Sequence, residues 1–421
     1  MKIAVVGGGS TYTPELVQGF ATRQERLPVD ELVLHDVDAG RLEVVGGLAG
    51  RMLRRAGWGG RLLLSGRREE AVDGADFVVV QLRVGGQAMR LADETVPLEF
   101  GCVGQETTGP GGFAKALRTV PVVLELAEEA ERRAAPGAWL VDFANPVGIV
   151  TQALLDSGRR AVGLCNSAIG FQRGFAAHLG VEAERVELEH VGLNHLTWVR
   201  AATVDGVDRL PELLDRHGEQ IAAGIGLPPA LLRTLGVVPS YYLRYYYATS
   251  EVLAEQRRNP PRAEQVMAIE RELLEQYRDP ALDSKPELLE RRGGAFYSEA
   301  AAALIASLHA GTGDVQVVDV RNDGALAGLP DDAVVEVPAR VDRDGAHPLP
   351  LAPLDPELLG LVQQAKAYER LAVRAAVTGD RAVALKALLA NPLVREYQVA
   401  VPLLEALLAR SRPYLPRFFG D

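Results

Sequence analysis

What this chain has little of excludes several classes of protein. Cysteine occurs only twice, at Cys102 and Cys165 in 421 residues, so no disulfide framework is available. Positive charge is also short. The 45 Lys and Arg face 56 Asp and Glu, a formal net charge of -11, and a general attraction for nucleic acid or an anionic membrane is not expected. No apolar run is long enough to span a bilayer. The apolar start MKIAVVGGG lacks the charged lead and cleavage site of a secretory signal. Together these absences predict a cytoplasmic protein in a reducing compartment, without nucleic-acid or membrane partners. Repeats and low-complexity tails are missing as well. At this length one core is too few, and two domains are expected.

What is present begins with a β-rich run, Lys2 to Val6, that empties into Gly7, Gly8, Gly9, Ser10 and Thr11, with a helix predicted from near Pro14. Glycines at a strand-to-helix turn let backbone approach a pyrophosphate, with amide N–H groups and a helix N-terminus aimed at it. The run ELVLHDVD reads as a second strand ending at His35 and Asp36, where an acid would accept the adenosine ribose hydroxyls and favour NAD over its 2′-phosphorylated relative. Further strands are predicted at Ala75 to Leu82, in AWLVDFANP and in RAVGLC, with helices between several of them. Such alternation marks a parallel sheet with crossover helices. Polar residues at its strand ends face the ligand crevice, and Arg83, Asn145 and Cys165 occupy such positions.

A cysteine in a reduced protein is often a small buried hydrophobe. Cys165, however, ends a strand, and EHVGLNHLTW adds His190 and His195. A thiolate and a neutral imidazole can bind a borderline divalent ion and leave positions for water or substrate. By spacing alone His190 or His195 could be the ligand, and either could instead be a core or capping histidine. Segments Leu126 to Pro136 and Leu361 to Ala376 are predicted helices on propensity. GDVQVVDVRNDGALAGLPDDAVVEVPARV is predicted to form strands around turns, and Leu361 to Arg410 to be mainly helical.

In chain order, VVGGGSTYTPEL, QLRVGGQAMRLADE, GQETTGPGGFAKALRT, DFANPVGIVTQAL, AVGLCNSAIG, GLNHLTW, YYLRYYY and KPELLERRGGAFYSEAA resemble family 4 glycoside hydrolases. Those enzymes depend on NAD and a divalent metal, and the resemblance runs over nearly the whole chain. It implies a Rossmann-like NAD-binding domain over residues 1–165. Residues 166–421 would form a mixed α+β substrate- and metal-binding domain, in a lactate/malate dehydrogenase-like arrangement. Cys165 and His195 would be the metal ligands and Mn2+ the ion. Arg90, Asn145, Asn166 and Arg292 would contact substrate. The catalytic base would be Tyr242, with Tyr241 as the alternative in the repeated tyrosines, and Glu106 the acid that tunes it. Spacing alone does not choose a base, because Tyr241, Tyr242, Tyr245, Tyr246 and Tyr247 also suit the buried face of a helix.

Asn166 follows the metal cysteine where members acting on α-linked phosphosugars carry aspartate, so the resemblance points to the β-specific branch. An amide orients a hydroxyl but delivers no proton in the ordinary range. The chain departs from the related β-enzymes at Ser167 and Ala168, where Val and Pro are usual. Glycosidases ordinarily use two carboxylates, and the NAD-dependent family is an exception to that rule. The implied activity is hydrolysis of 6-phospho-β-glucosides to glucose 6-phosphate and an aglycone. It would run by transient C3 oxidation with NAD+, C2 deprotonation, elimination, water addition and re-reduction. A homodimer or homotetramer is implied too. The alternatives are a relative acting on another or an unphosphorylated glycone, an NAD-dependent 2-hydroxyacid dehydrogenase, and a silent sugar-phosphate sensor.

Overall fold

The first six strands lie parallel. The structure, a computed structural model, describes residues 1–293 and 296–420. These strands are β1 (Lys2–Val6), β2 (Glu31–His35), β3 (Arg61–Ser65), β4 (Phe77–Val80), β5 (Trp139–Asp142) and β6 (Ala161–Gly163). Their order is β3-β2-β1-β4-β5-β6, so the winding reverses between β1 and β4. Such a reversal opens a crevice at the carboxyl ends of the strands. Both faces of the sheet are covered. Ile3 and Val5 enter one core while Ala4 and Val6 enter the other, as the two-residue period of a strand requires. The predicted strands are trimmed at their ends. Asp36 lies just past β2, and Asn145 and Cys165 lie past β5 and β6. The edge strand β3 was not expected, because RLLLS shows no alternation and leaves Leu63 and Leu64 exposed.

A second, antiparallel sheet follows: β7 (Val186–Leu193), β8 (Leu196–Val204), β9 (Val207–Asp208) and β10 (Val238–Pro239), with β8 central. The chain then returns to the first sheet. β11 (Asp314–Arg321), β12 (Val334–Asp342) and β13 (Gly345–Pro348) extend it beyond β6, all antiparallel to their neighbours, giving nine strands. Asp319 on β11 pairs with Gly163 of β6 on one side and Glu336 of β12 on the other.

The helix expected at Leu126 to Pro136 is the tail of a longer one, Gly109–Arg133. Its glycine-rich start carries little propensity, yet every residue from Gly109 to Val120 is buried, so tertiary packing decides. It ends before Pro136, whose ring disfavours helical backbone at the residue preceding it. Pro356–Thr378, Arg381–Ala390 and Tyr397–Ser411 supply the expected helical C-terminal region. Among the described residues no helix is long and apolar enough to cross a membrane.

An ion pair fastens Gly109–Arg133 to a further helix, Gly86–Glu99, and a hydrogen bond from the same arginine reaches the end of Tyr397–Ser411. Arg118 donates from Nη1 to Asp93 Oδ1 at 3.0 Å and from Nη2 to Oδ2 at 2.6 Å, and also reaches Ser411 Oγ at 3.0 Å. The pair's side chains are only 1% and 2% exposed, so removing one partner strands a buried charge. Arg118→Ala is therefore expected to lose about 3–5 kcal/mol in urea unfolding, and a loss below about 1 kcal/mol would contradict this assignment.

Candidate active site

The glycine turn is shaped by β2. Gly7 and Gly8 donate their amides to His35 O at 2.9 and 2.7 Å, and Gly9 donates to Asp36 Oδ2 at 2.9 Å. These three N–H groups therefore do not point at a ligand, which corrects that part of the expectation. What the turn offers is close approach. Gly7 has φ +96°, and a Cβ there would meet the Gln81 carbonyl at 2.9 Å. Gly7, Ser10, Tyr12 and Asp36 line a cleft of about 1260 Å³ at the strand ends. Thr11 is turned away from it. It is fully buried, and its hydroxyl donates to Glu270 Oε1 at 3.1 Å.

Two ion clusters wall the cleft. Glu106 is buried among Arg83, whose guanidinium bonds it directly, Lys115 Nζ at 2.7 Å and Arg90 Nε at 3.2 Å. Arg90 also reaches Glu94 at 2.8 Å. Burial alone would raise the Glu106 carboxyl, but Arg83, Lys115 and Arg90 outweigh it and hold it well below the usual carboxylate range. Burial, reinforced by Arg83, pushes Lys115 down to about 7 despite Glu106. In the second cluster Glu270 accepts from Arg292 at 2.9 Å, Gln87 at 3.0 Å and Arg41 at 3.3 Å. Arg90 and Arg292 thus both line the cleft, each with a carboxylate partner.

The predicted metal ligands come from different sheets. Cys165 follows β6, and His195 closes the two-residue turn between β7 and β8 with φ +62°, a left-handed conformation that is uncommon for histidine. The His195 ring stacks on Tyr242 with centroids 3.6 Å apart and planes 14° from parallel. Burial lowers His195 to about 4, so its imidazole is neutral at ordinary pH. Its Nδ1 is buried without a hydrogen-bond partner, as is Asn145 Oδ1. Burial also raises the Cys165 thiol, with Glu336 adding to it, and raises the Tyr242 phenol, with Cys165 next in effect.

These features fit a divalent cation. A neutral imidazole with an idle nitrogen, a thiol that burial keeps protonated and a phenol pushed up beside it would all be relieved by positive charge between them. Among the described residues no group of three His, Cys, Asp or Glu could hold an ion, and an ion held by Cys165 and His195 would leave further positions to water or substrate. His190, the alternative ligand, is tied to a carboxylate through one nitrogen, while its Nδ1, like that of His195, is buried without a partner. Its Nε2 bonds Glu336 Oε1 at 2.9 Å, while Asn194 Nδ2 donates to Oε2 of the same carboxylate at 2.8 Å.

Of the two candidate bases, Tyr242 meets His195, whereas Tyr241 is exposed and accepts from Arg244 Nη1 at 2.9 Å. They lie on a 3-10 turn, Tyr241–Leu243, that leads into a short helix, Arg244–Tyr247. Lys115, Glu270, Tyr297 and Glu336 were not anticipated as site residues. Tyr297 lines the cleft and acts to lower the Cys165 thiol against the burial that raises it. Only its nearness to the RRGG stretch could have flagged it. Lys115 and Glu336 lie in apolar surroundings that read as plain helix and strand.

Fold and cleft together define a dinucleotide-binding α/β enzyme in which Cys165 and His195 are the residues fit to hold a divalent ion near a tyrosine. The malate dehydrogenase of Plasmodium falciparum shares the fold, with TM-score 0.56 and 16% identity over 90% of this chain and 98% of its own. Two family models match, family 4 glycosyl hydrolase over residues 2–181 and its C-terminal domain over 190–394. The chain belongs to family 4 of the glycosyl hydrolases. A probable 6-phospho-beta-glucosidase of Bacillus subtilis is 44% identical over 100% of this chain and 98% of its own length. The 6-phospho-beta glucosidase of Thermotoga maritima, solved with manganese, NAD+ and glucose-6-phosphate, superposes with TM-score 0.92. It is 36% identical over 98% of this chain and 99% of its own.

Glu336 is buried and holds both His190 and Asn194, the residue before His195. Glu336→Ala leaves these two buried donors unpaired, and a loss of roughly 2–4 kcal/mol in denaturant unfolding is expected. A variant as stable as the parent would show that the clamp is dispensable.

Proposed function

We propose that this chain hydrolyses 6-phospho-β-glucosides to glucose 6-phosphate and an aglycone, with NAD+ and a divalent ion, Mn2+ in the first instance, as cofactors. The observation that carries this is the Tyr242–His195 stack beside Cys165 at the strand ends of a dinucleotide-type sheet. When bound, NAD+ supplies a reversible hydride acceptor at the sugar C3 and the divalent ion a Lewis acid.

The chain's own residues bind, orient and move a proton. Cys165 and His195 would hold the ion. Gly7, Ser10 and Asp36 line the dinucleotide end of the cleft, where Asp36 would take the ribose hydroxyls. Tyr242 Oη is the group that would take the proton from C2, with Glu106 fixing the charge behind it. Asn145, whose Oδ1 has no partner, would orient a sugar hydroxyl, and Asn166 another. Because Asn166 is an amide, no side-chain acid stands at that position to protonate an α-linked leaving group.

Phosphate recognition is supported by charge. In the first cluster Arg83, Arg90 and Lys115 meet Glu94 and Glu106, and in the second Arg41 and Arg292 meet Glu270. Basic side chains outnumber carboxylates in both, and a phosphomonoester of about -1.5 to -2 beside Lys115, which burial and Arg83 push down to about 7, would favour the charged form of that lysine. Arg90 and Arg292 are the forks we assign to substrate.

We also propose a division of labour in which residues 1–165 hold the dinucleotide and 166–421 the metal and sugar. β11 to β13 nevertheless complete the first sheet. A homodimer or homotetramer in the cytoplasm is the accompanying proposal.

The test is release of p-nitrophenol from β-6-phosphate, α-6-phosphate and unphosphorylated β-glucosides, with NAD+ and Mn2+ added or withheld. Release from the β-6-phosphate alone, requiring both cofactors, is expected. Release without NAD+, or net accumulation of NADH, would overturn the proposal. Cys165→Ala should lose Mn2+ binding in a calorimetric titration while still binding NAD+; undiminished Mn2+ affinity would remove Cys165 as a ligand.

A further inference from the structure

Three large apolar side chains that line the cleft are also exposed: Val37, Tyr241 and Tyr414. Each belongs to a different part of it. Val37 follows Asp36 at the dinucleotide end, and Tyr414 packs over Gly85, where an added Cβ would meet its ring at 3.2 Å. Tyr241 stands beside Tyr242, ring centroids 6.0 Å apart and nearly perpendicular.

We propose that Tyr241 is the platform of an aglycone subsite that favours flat, apolar-faced aglycones, such as an aryl group. This rests on the assignment of Tyr242 as the base at C2. The leaving group departs from C1, the neighbouring carbon, so the aglycone must lie within a few ångströms of Tyr242 Oη and on the open side of the cleft. Tyr242 is itself stacked on His195 and is less exposed than Tyr241. The next aromatic surface toward solvent is Tyr241, 43% exposed.

The ring is also held in place before any ligand arrives. Its hydroxyl accepts from Arg244 Nη1 at 2.9 Å, and the Arg244 guanidinium lies 5.3 Å over one face. Arg244 is anchored in turn by Glu255, and Tyr245 meets the Tyr241 ring edge-on at 6.3 Å. A ring fixed in this way loses little conformational freedom on stacking, which is the property of an effective platform. The phenolic oxygen is occupied by Arg244, so it is the ring of Tyr241 that acts on the substrate.

The experiment compares kcat/KM for p-nitrophenyl and methyl 6-phospho-β-glucosides in the parent, Tyr241→Ala, Tyr241→Leu and Tyr241→Phe, with NAD+ and Mn2+ present. The Ala and Leu variants are expected to lower the aryl-to-methyl ratio roughly fivefold, the size of one aromatic stacking contact. Tyr241→Phe, which keeps the ring, should hold the ratio near the parent value. An unchanged or raised ratio in Ala and Leu, or an equal loss in Phe, overturns the platform. A parent that releases neither aglycone instead overturns the glycosidase assignment, and the platform with it.

Discussion

Everything at the carboxyl ends of the main sheet depends on one seam, where β11 runs antiparallel along β6 with Asp319 against Gly163. Gly163 is required there. A Cβ would meet the Thr151 hydroxyl at 2.2 Å and Asp319 Cβ at 2.8 Å. Across the next register pair Glu336 faces the same region and binds His190 and Asn194 from the second sheet. Three distant stretches of chain are thereby brought together. The cysteine just past β6, the histidine of the β7–β8 turn and the tyrosine stacked on it converge because this seam closes.

The ionised groups follow a single logic. Arginines in and beside the cleft, Arg83, Arg90, Arg118 and Arg292, each carry a carboxylate partner, since an isolated charge in such surroundings would be prohibitively costly. The groups around His195 are the exception. Cys165 and His195 are buried and Tyr242 partly so, no carboxylate or cation among the described residues bonds them directly, and burial favours the neutral form of each. A site that is comfortable when neutral but rich in donors is one that a divalent ion completes, and proton transfer from Tyr242 becomes easier once positive charge is beside it.

Much of this was legible in the sequence where local chemistry matched global structure. The run from Lys2 into three glycines, the acid after the second strand and the polar residues at strand ends all arise from short-range rules, and of these Gly7, Ser10, Asp36, Arg83 and Asn145 line the crevice, whereas Gly8, Gly9, Thr11 and Cys165 do not. The glycine amides did not behave as expected, because Asp36 and His35 lie near enough to claim them, a contact 27 residues away in the chain. The start of Gly109–Arg133 was hidden by its glycines. Lys115 and Glu336 were hidden more deeply. Their importance comes from partners on other elements, Glu106 and the His190–Asn194 pair, and nothing in a helix or strand pattern announces such a partner. The choice between Tyr241 and Tyr242 likewise required the His195 turn in space.

The central claim is that Tyr242 exchanges the C2 proton of a bound sugar phosphate. Glucose 6-phosphate incubated with the protein, NAD+ and Mn2+ in D2O should acquire deuterium at C2, read by proton NMR. Tyr242→Phe should slow that exchange by about 100-fold or more, the contribution of a positioned general base, while Tyr241→Phe retains it. Exchange at the parent rate in Tyr242→Phe, or no exchange in the parent, would contradict the account.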